Sequence, residues 1–234
     1  MDGSDKRSGT WNRPRLRRGL RVLMIAILAL VLLPYALTPI YAVVDPVSTA
    51  MLWRRVSGAR VERHPVPLSR VSPALPLTVI IAEDGRFCRH HGVDLTEIRE
   101  AIAEADDIDE MRGGSTITQQ VAKNLFLWEG RSFVRKGAEA YVTLVLELCL
   151  TKERILDIYL NSAEWGDGVF GAEMAARVHL RQSARNMSRE DAARLAAILP
   201  APRRWRVYGS VATRRAQAIL ERMAFAAPRE GNGR

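Results

Sequence analysis

The chain has 234 residues, enough for one ordinary domain with appendages and too few for two large ones. Its composition, 47% hydrophobic and 26% charged, excludes an intrinsically disordered protein. Of the formal charge of +9, residues 1–21 alone carry +5, so the remainder is only mildly basic and no nucleic-acid partner is expected.

That basic tail, residues 1–21, precedes 23 uncharged residues from Val22 to Val44. A helix needs about 20 apolar residues to cross the hydrocarbon core, so the stretch is long enough to span. Arginines before it and only Asp45 just after it orient the amino terminus to the cytoplasm. Pro34 and Pro39 predict a kink or an early end, and Tyr35 and Tyr41 suit the outer interface. A cleaved signal peptide with Val22–Leu33 as its apolar core is the competing reading. No small-residue cleavage pattern follows that core, which favours a retained anchor.

Residues 45–75 contain several prolines and read as a linker with one short helix over Thr49–Val56. Helical periodicity then dominates residues 76–226. It predicts helices over Leu77–His90, Thr116–Trp128, Phe133–Leu150, Lys152–Asn161, Phe170–Arg181, Arg189–Leu199 and Val211–Ala226. No run shows sustained strand-like alternation, and residues 227–234 read as a disordered tail. The expectation is a mainly α domain with its site in a cleft between helices. Cys88 and Cys149 are too few for a disulfide framework. One bridge is chemically permitted outside the membrane, but two buried free thiols are the favoured reading.

Three segments carry chemistry. In Ile80–His90, Glu83 follows an apolar run, and a single helix would put Glu83, Phe87 and His90 on one face. A carboxylate there is partly desolvated and suited to proton transfer. The plainer alternative is a surface helix end whose Glu83 pairs with Arg86. His90 and His91 have no spaced Cys or His partners, so no metal site is expected. In Gly113–Asn124, two glycines free a tight loop, and Thr116 with Gln119 fits a capping box. Ile117, Val121 and Leu125 form a buried stripe. Gln120, Lys123 and Asn124 lie beside it, as a face for an anionic group or as a plain solvated face. In Arg135–Glu139, Arg135 and Lys136 share a helix face with Glu139. This is either a helix salt bridge or, in its apolar setting, a pair with a function.

Together these segments resemble the family 51 glycosyltransferases. Glu83-Asp84-x-x-Phe87-x-x-His90-x-Gly92-x-Asp94 resembles the family's first motif, and Gly114-Ser115-Thr116-Ile117-Thr118-Gln119-Gln120-x-x-Lys123-Asn124 the second. Arg135-Lys136-x-x-Glu139 with Leu146-Glu147 resembles the third, and Lys152-x-x-Ile155-Leu156-x-x-Tyr159-Leu160-Asn161 with Gly166 the fourth. Gly171-Ala172, Ala193, Leu195-Ala196 and Leu199-Pro200-x-Pro202 resemble the fifth. Glu164–Gly168 and Pro202–Trp205 look most like the monofunctional biosynthetic branch. Asp157 stands where the family usually has glutamate, and His179-Leu180 where Tyr-Phe is common, which puts only local packing in doubt.

The resemblance implies a lysozyme-like helical domain with a small membrane-associated jaw region, preceded by one transmembrane helix. Leu125, Phe126, Leu127, Trp128 and Phe133 suit the jaw, or are ordinary core. It implies an enzyme of the bacterial inner membrane that joins the growing lipid-linked glycan to lipid II through a β-1,4 bond and releases undecaprenyl diphosphate. Glu83 matches the general base and Glu139 the second catalytic glutamate, which organises the diphosphate directly or through a divalent cation such as Mg or Mn. No tightly bound cofactor is implied. Ser115, Gln120, Lys123, Arg135 and Lys136 match positions that hold donor sugar and diphosphate. Asp84, Phe87, His90, Thr116 and Asn124 complete the expected substrate-binding set. Cell-division or elongation proteins are the partners such an enzyme would meet.

A membrane-bound muramidase or lytic transglycosylase on the same scaffold is the alternative. It also needs a carboxylic acid but has no diphosphate to neutralise, so Lys123, Arg135 and Lys136 argue against it. No Ser-x-x-Lys or Lys-Thr-Gly sequence occurs, so no penicillin-binding transpeptidase activity is expected.

Overall fold

The computed structural model describes residues 13–104, 115–128, 130 and 132–226, the first four of them and 101, 102 and 104 by backbone alone. The start of the basic tail, the Gly113-Gly114 pair and the tail over 227–234 lie outside the described residues.

Helix α1 runs from Arg13 to Tyr41. It starts earlier than the apolar run because arginine and leucine are good helix formers and Pro14 is tolerated in a first turn. It also continues through Pro34 and Pro39, which were expected to kink or end it. Its segment Arg17–Tyr41 has a mean hydropathy of 2.4 over its most apolar window and is long and apolar enough to cross a membrane. The distal end is not free. Pro34 and Thr38, one turn apart, are buried on a face that packs against α6, Phe133–Cys149. Tyr141 of α6 donates to the Val31 carbonyl at 2.5 Å, and its ring meets Tyr35 edge to face. The open carbonyls at the helix end are met by Arg154 of α7, Lys152–Ser162, which donates to Tyr41 O at 2.8 Å and Val44 O at 2.9 Å. A cation there also complements the helix dipole.

The linker is packed. Helix α2, Thr49–Val56, is capped by Ser48 and buries Met51. Thr49 donates to Leu127 O at 2.6 Å and Asn124 O at 3.1 Å, closing the carboxyl end of α5, Ile117–Phe126. Strand β1, Glu62–Arg63, pairs in parallel with β3, Val169–Phe170, which pairs antiparallel with β2, Glu164–Gly166. Strands of two and three residues are too short to alternate visibly, so this sheet was not expected.

Helix α3, Ala74–Glu83, stops seven residues before its predicted end. Asp84 leaves helical geometry, and its carboxylate turns to the amino end of α5, accepting the Ile117 N–H at 2.9 Å. Glu83, Phe87 and His90 therefore do not share a helix face. A further unexpected helix, α4, spans Leu95–Glu104, with the Asp94 carboxylate accepting the Thr96 and Glu97 N–H groups at its start. The predicted helix over Phe170–Arg181 is broken into α8, Ala172–Ala175, and a wide π turn over Ala176–Leu180. There His179 sits 2.8 Å from Trp165 O, a local bond of its own. Asp157 pairs with Arg154 and accepts from Asn161 at 3.1 Å.

The core forms where α3, α9 (Arg189–Ile198) and α10 (Ser210–Ala226) pack, and where α5 packs against α6 and α7. Ala192, Ala193, Ala196 and Ala197 are fully buried on α9, and such small residues let neighbouring helices approach closely. Cys88 and Cys149 are both free, but Cys88 is exposed and Cys149 only partly buried, which corrects the expectation of two buried thiols.

Candidate active site

Glu83 is the last residue of an almost wholly apolar helix, and its side chain is 12% exposed. Gln120 Nε2 donates to Oε2 at 3.2 Å, and Arg215 Nη2 donates to Oε1 at 3.3 Å. Tyr159 donates in turn to Gln120 Oε1 at 3.0 Å, which fixes the amide with its N–H toward the glutamate. Burial raises the pKa of Glu83 above the usual carboxylate range. The Gln120 hydrogen bond and the charges of Arg215 and Arg222 oppose that rise without cancelling it. Burial, with the Glu83 charge adding to it, pushes the Tyr159 phenol well up, so it stays protonated as a donor. Arg86 does not take part in this group. It pairs with Asp94 at 2.8 Å and Glu100 at 3.3 Å, which removes the plainer reading of Glu83 as its partner.

The next residues brace this carboxylate. Asp84 is buried, with one oxygen on the Ile117 N–H and the other 2.8 Å from His90 Nε2. Thr116 is buried, caps α5 in a reciprocal pair with Gln119, and donates to Gly92 O at 2.5 Å. Gly92 has φ +87°, and a Cβ there would lie 2.6 Å from Thr143 Cγ2, so only glycine fits this turn. Phe87 is buried beneath the Lys152 ammonium, 4.5 Å from the ring centroid. Lys152 is held at 2.7 Å by Glu147, which also accepts from Thr118 at 2.5 Å. Asp84, Phe87 and Thr116 were expected to touch substrate. In the structure all three are buried and held by partners within the protein. His90 is also largely buried, with Nδ1 lacking a protein partner.

Helix α5 and the segment just before it carry the remaining polar residues. Ser115 and Lys123 are exposed, and Gln120 and Asn124 are half-buried. Across from α5, α6 is capped by Ser132 and carries the second acidic group. Glu139 is only 4% exposed, and each of its oxygens meets one cation, Arg135 Nη1 at 2.7 Å and Lys136 Nζ at 2.5 Å. The three groups carry a net positive charge, and Lys136 is half exposed. An anion approaching this turn meets cations already held in place. The arrangement suits a diphosphate whose charge grows as it leaves.

The donor set does not fit a resident divalent cation. Glu139 stands with both oxygens already shared by two cations, and no cluster of three or more His, Cys, Asp or Glu side chains is gathered among the described residues.

Of the residues expected in the site, Glu83 and Gln120 meet directly, while Arg135, Lys136 and Glu139 form a second group on α6. Helix α5 packs against α6 and touches Glu83 through Gln120. Tyr159 stood in a recognised motif without a role, and only its contact with Gln120 reveals one. Arg215 was missed, since nothing in sequence ties it to a glutamate 132 positions away. For the jaw, Leu125 and Leu127 are buried core and Phe126 packs against Tyr41, whereas Trp128 and Phe133 are exposed.

Comparison with known proteins matches the transglycosylase family model to residues 50–224. A biosynthetic peptidoglycan transglycosylase of Rhodopseudomonas palustris is 52% identical over 191 residues, covering 81% of each chain. Proteins with the same description from Caulobacter vibrioides and Pseudomonas aeruginosa are similar as well. The first is 44% identical over 82% of this chain and 85% of its own. The second is 47% identical over 69% of this chain and 73% of its own.

Proposed function

The chain belongs to the transglycosylase family, and from that premise we propose that Glu83 is the general base of a peptidoglycan glycosyltransferase acting on lipid II. The enzyme polymerises glycan strands. In the proposed reaction the acceptor's 4-hydroxyl oxygen attacks the anomeric carbon of the lipid-linked donor strand. Its proton passes to the Glu83 carboxylate as the new C–O bond forms. The bond from the anomeric carbon to the diphosphate breaks, and undecaprenyl diphosphate leaves with the electron pair.

The observation that carries this reading is a buried, hydrogen-bonded carboxylate that meets α5 through Gln120, together with a cationic turn on α6, the helix packed against α5. Arg135 and Lys136 offset the charge that builds on the leaving diphosphate, while Glu139 holds them in register. A glycan hydrolase would have no use for that turn. The test is polymerisation of lipid II by the purified full chain in detergent. Linear polymer is the expected product, and its absence, with lipid II intact, would overturn the reading.

Helix α1 serves as an inner-membrane anchor in this proposal, with the amino terminus cytoplasmic and the catalytic domain periplasmic. Its distal end is built into the domain through Tyr141 and Arg154, which supports retention rather than cleavage. A reporter active only in oxidising compartments, fused after Arg234, is expected to be active. Activity only from an amino-terminal fusion would invert the topology.

A further inference from the structure

The last helix supplies a cation to the catalytic carboxylate from outside the five motifs. Ala212, Ala216, Ile219 and Met223 form the buried stripe of α10, and the Met223 sulfur lies 3.4 Å from the Thr78 hydroxyl of α3. This packing fixes the helix beside the end of α3. Arg215 stands next to the stripe with about a third of its side chain exposed, and its Nη2 reaches Glu83 Oε1 at 3.3 Å. Arg222, two turns further along, acts on the same carboxylate through its charge. Among the described residues, the neutral groups found at Glu83 are the Gln120 amide from α5 and, behind it, the Tyr159 hydroxyl from α7.

A buried base needs its charge before the substrate arrives, and the acceptor's hydroxyl is neutral and supplies none. Gln120 and Tyr159 are neutral too. Among the described residues, the cations found to act on Glu83 are Arg215 and Arg222, both on α10, and a guanidinium is well shaped to pair with a carboxylate. Arg215 therefore stabilises the ionised form of the base.

We propose that Arg215 is a positioning residue for Glu83, holding the carboxylate ionised and aimed so that α10 sets the acid limit of the enzyme's activity. This rests on Glu83 being the general base. The sign follows from the charge: removing a cation beside a carboxylate raises its pKa, so proton-accepting activity is lost at a higher pH.

The test is the pH dependence of lipid II polymerisation by the full chain, wild type against Arg215→Ala, Arg215→Lys and Glu83→Gln. The acidic limb of kcat is expected to move up by about one pH unit or more in Arg215→Ala, the effect of a charge at this range. The loss is then about tenfold or more at the acidic end and shrinks as pH rises. Arg215→Lys, which keeps the charge, should return most of the limb to its wild-type position. If Arg215→Ala loses its helical signal, Arg215→Gln keeps the length without the charge and carries the comparison. A profile superimposable on wild type, or a loss equal at every pH, overturns the proposal. The two readings fail separately: an active Glu83→Gln enzyme removes the base itself. An inactive Glu83→Gln beside an unshifted Arg215→Ala removes only the role of Arg215.

Discussion

Glu83→Gln is expected to lower lipid II polymerisation by about 10² to 10⁴, the contribution of a positioned general base, while the protein stays folded. Glutamine has nearly the shape of glutamate, and its carbonyl can still accept a hydrogen bond. Folding should not suffer, because α3 is held by buried Leu75 and Val79 rather than by the glutamate. Burial also raises the pKa of Glu83, so ionising it in the folded protein costs free energy. A neutral amide avoids that cost, and Arg215, partly exposed, retains water in place of its partner. The thermal midpoint should therefore be unchanged or slightly higher even as turnover collapses. The two measurements belong together, since loss of rate with loss of fold would say nothing about proton transfer. A Glu83→Gln protein that polymerises at near the wild-type rate would falsify the assignment.

Local rules made most helices legible. Thr116 with Gln119 predicted the reciprocal cap of α5, and the observed helix opens on it. The bounds of α6 and α7 fall within one residue of the expected ones, because Ser132 and Thr151 cap their starts and the apolar stripes are long. Where the reading failed, a distant partner had overridden local preference. The residues after Glu83 have an acceptable helical pattern, yet α3 ends there because Asp84 satisfies the amino end of α5, 33 positions away. The extended segments of the small sheet are stabilised by each other and by Gly168, where a Cβ would lie 2.5 Å from Arg60 O. In the site, residue types and motif order pointed to the acidic and basic groups. They did not separate the buried residues of these motifs from the exposed ones. Asp84 and Lys123 belong to neighbouring motifs and are both polar, but one is buried on a helix terminus and the other is exposed. Burial depends on the whole fold, and so does the reach of Arg215.

The two cations of α6 allow chemistry to be separated from folding. Lys136→Ala should cost little stability, because Lys136 is half exposed and water can take the place of its ammonium on the Glu139 oxygen it leaves. Glu139 keeps its contact with Arg135 in that variant. Turnover should nevertheless fall by about 10² to 10³, the cost of losing one preorganised contact to developing negative charge. Affinity for an unreactive lipid diphosphate analogue of the donor should weaken in parallel. Arg135→Ala should behave differently. Arg135 is only 12% exposed, so its loss leaves a buried carboxylate with one partner fewer, a cost of about 1 to 3 kcal/mol. Rate and thermal midpoint should then fall together. The informative variant is therefore Lys136→Ala, assayed for turnover, analogue affinity and thermal midpoint in one preparation. Full turnover with unchanged affinity would reduce the Arg135–Glu139–Lys136 group to a helix salt bridge, and the diphosphate would have to be held elsewhere. A large loss of turnover with an unmoved midpoint would tie the half-exposed ammonium to the leaving group, because no structural role at that position accounts for such a pair of results.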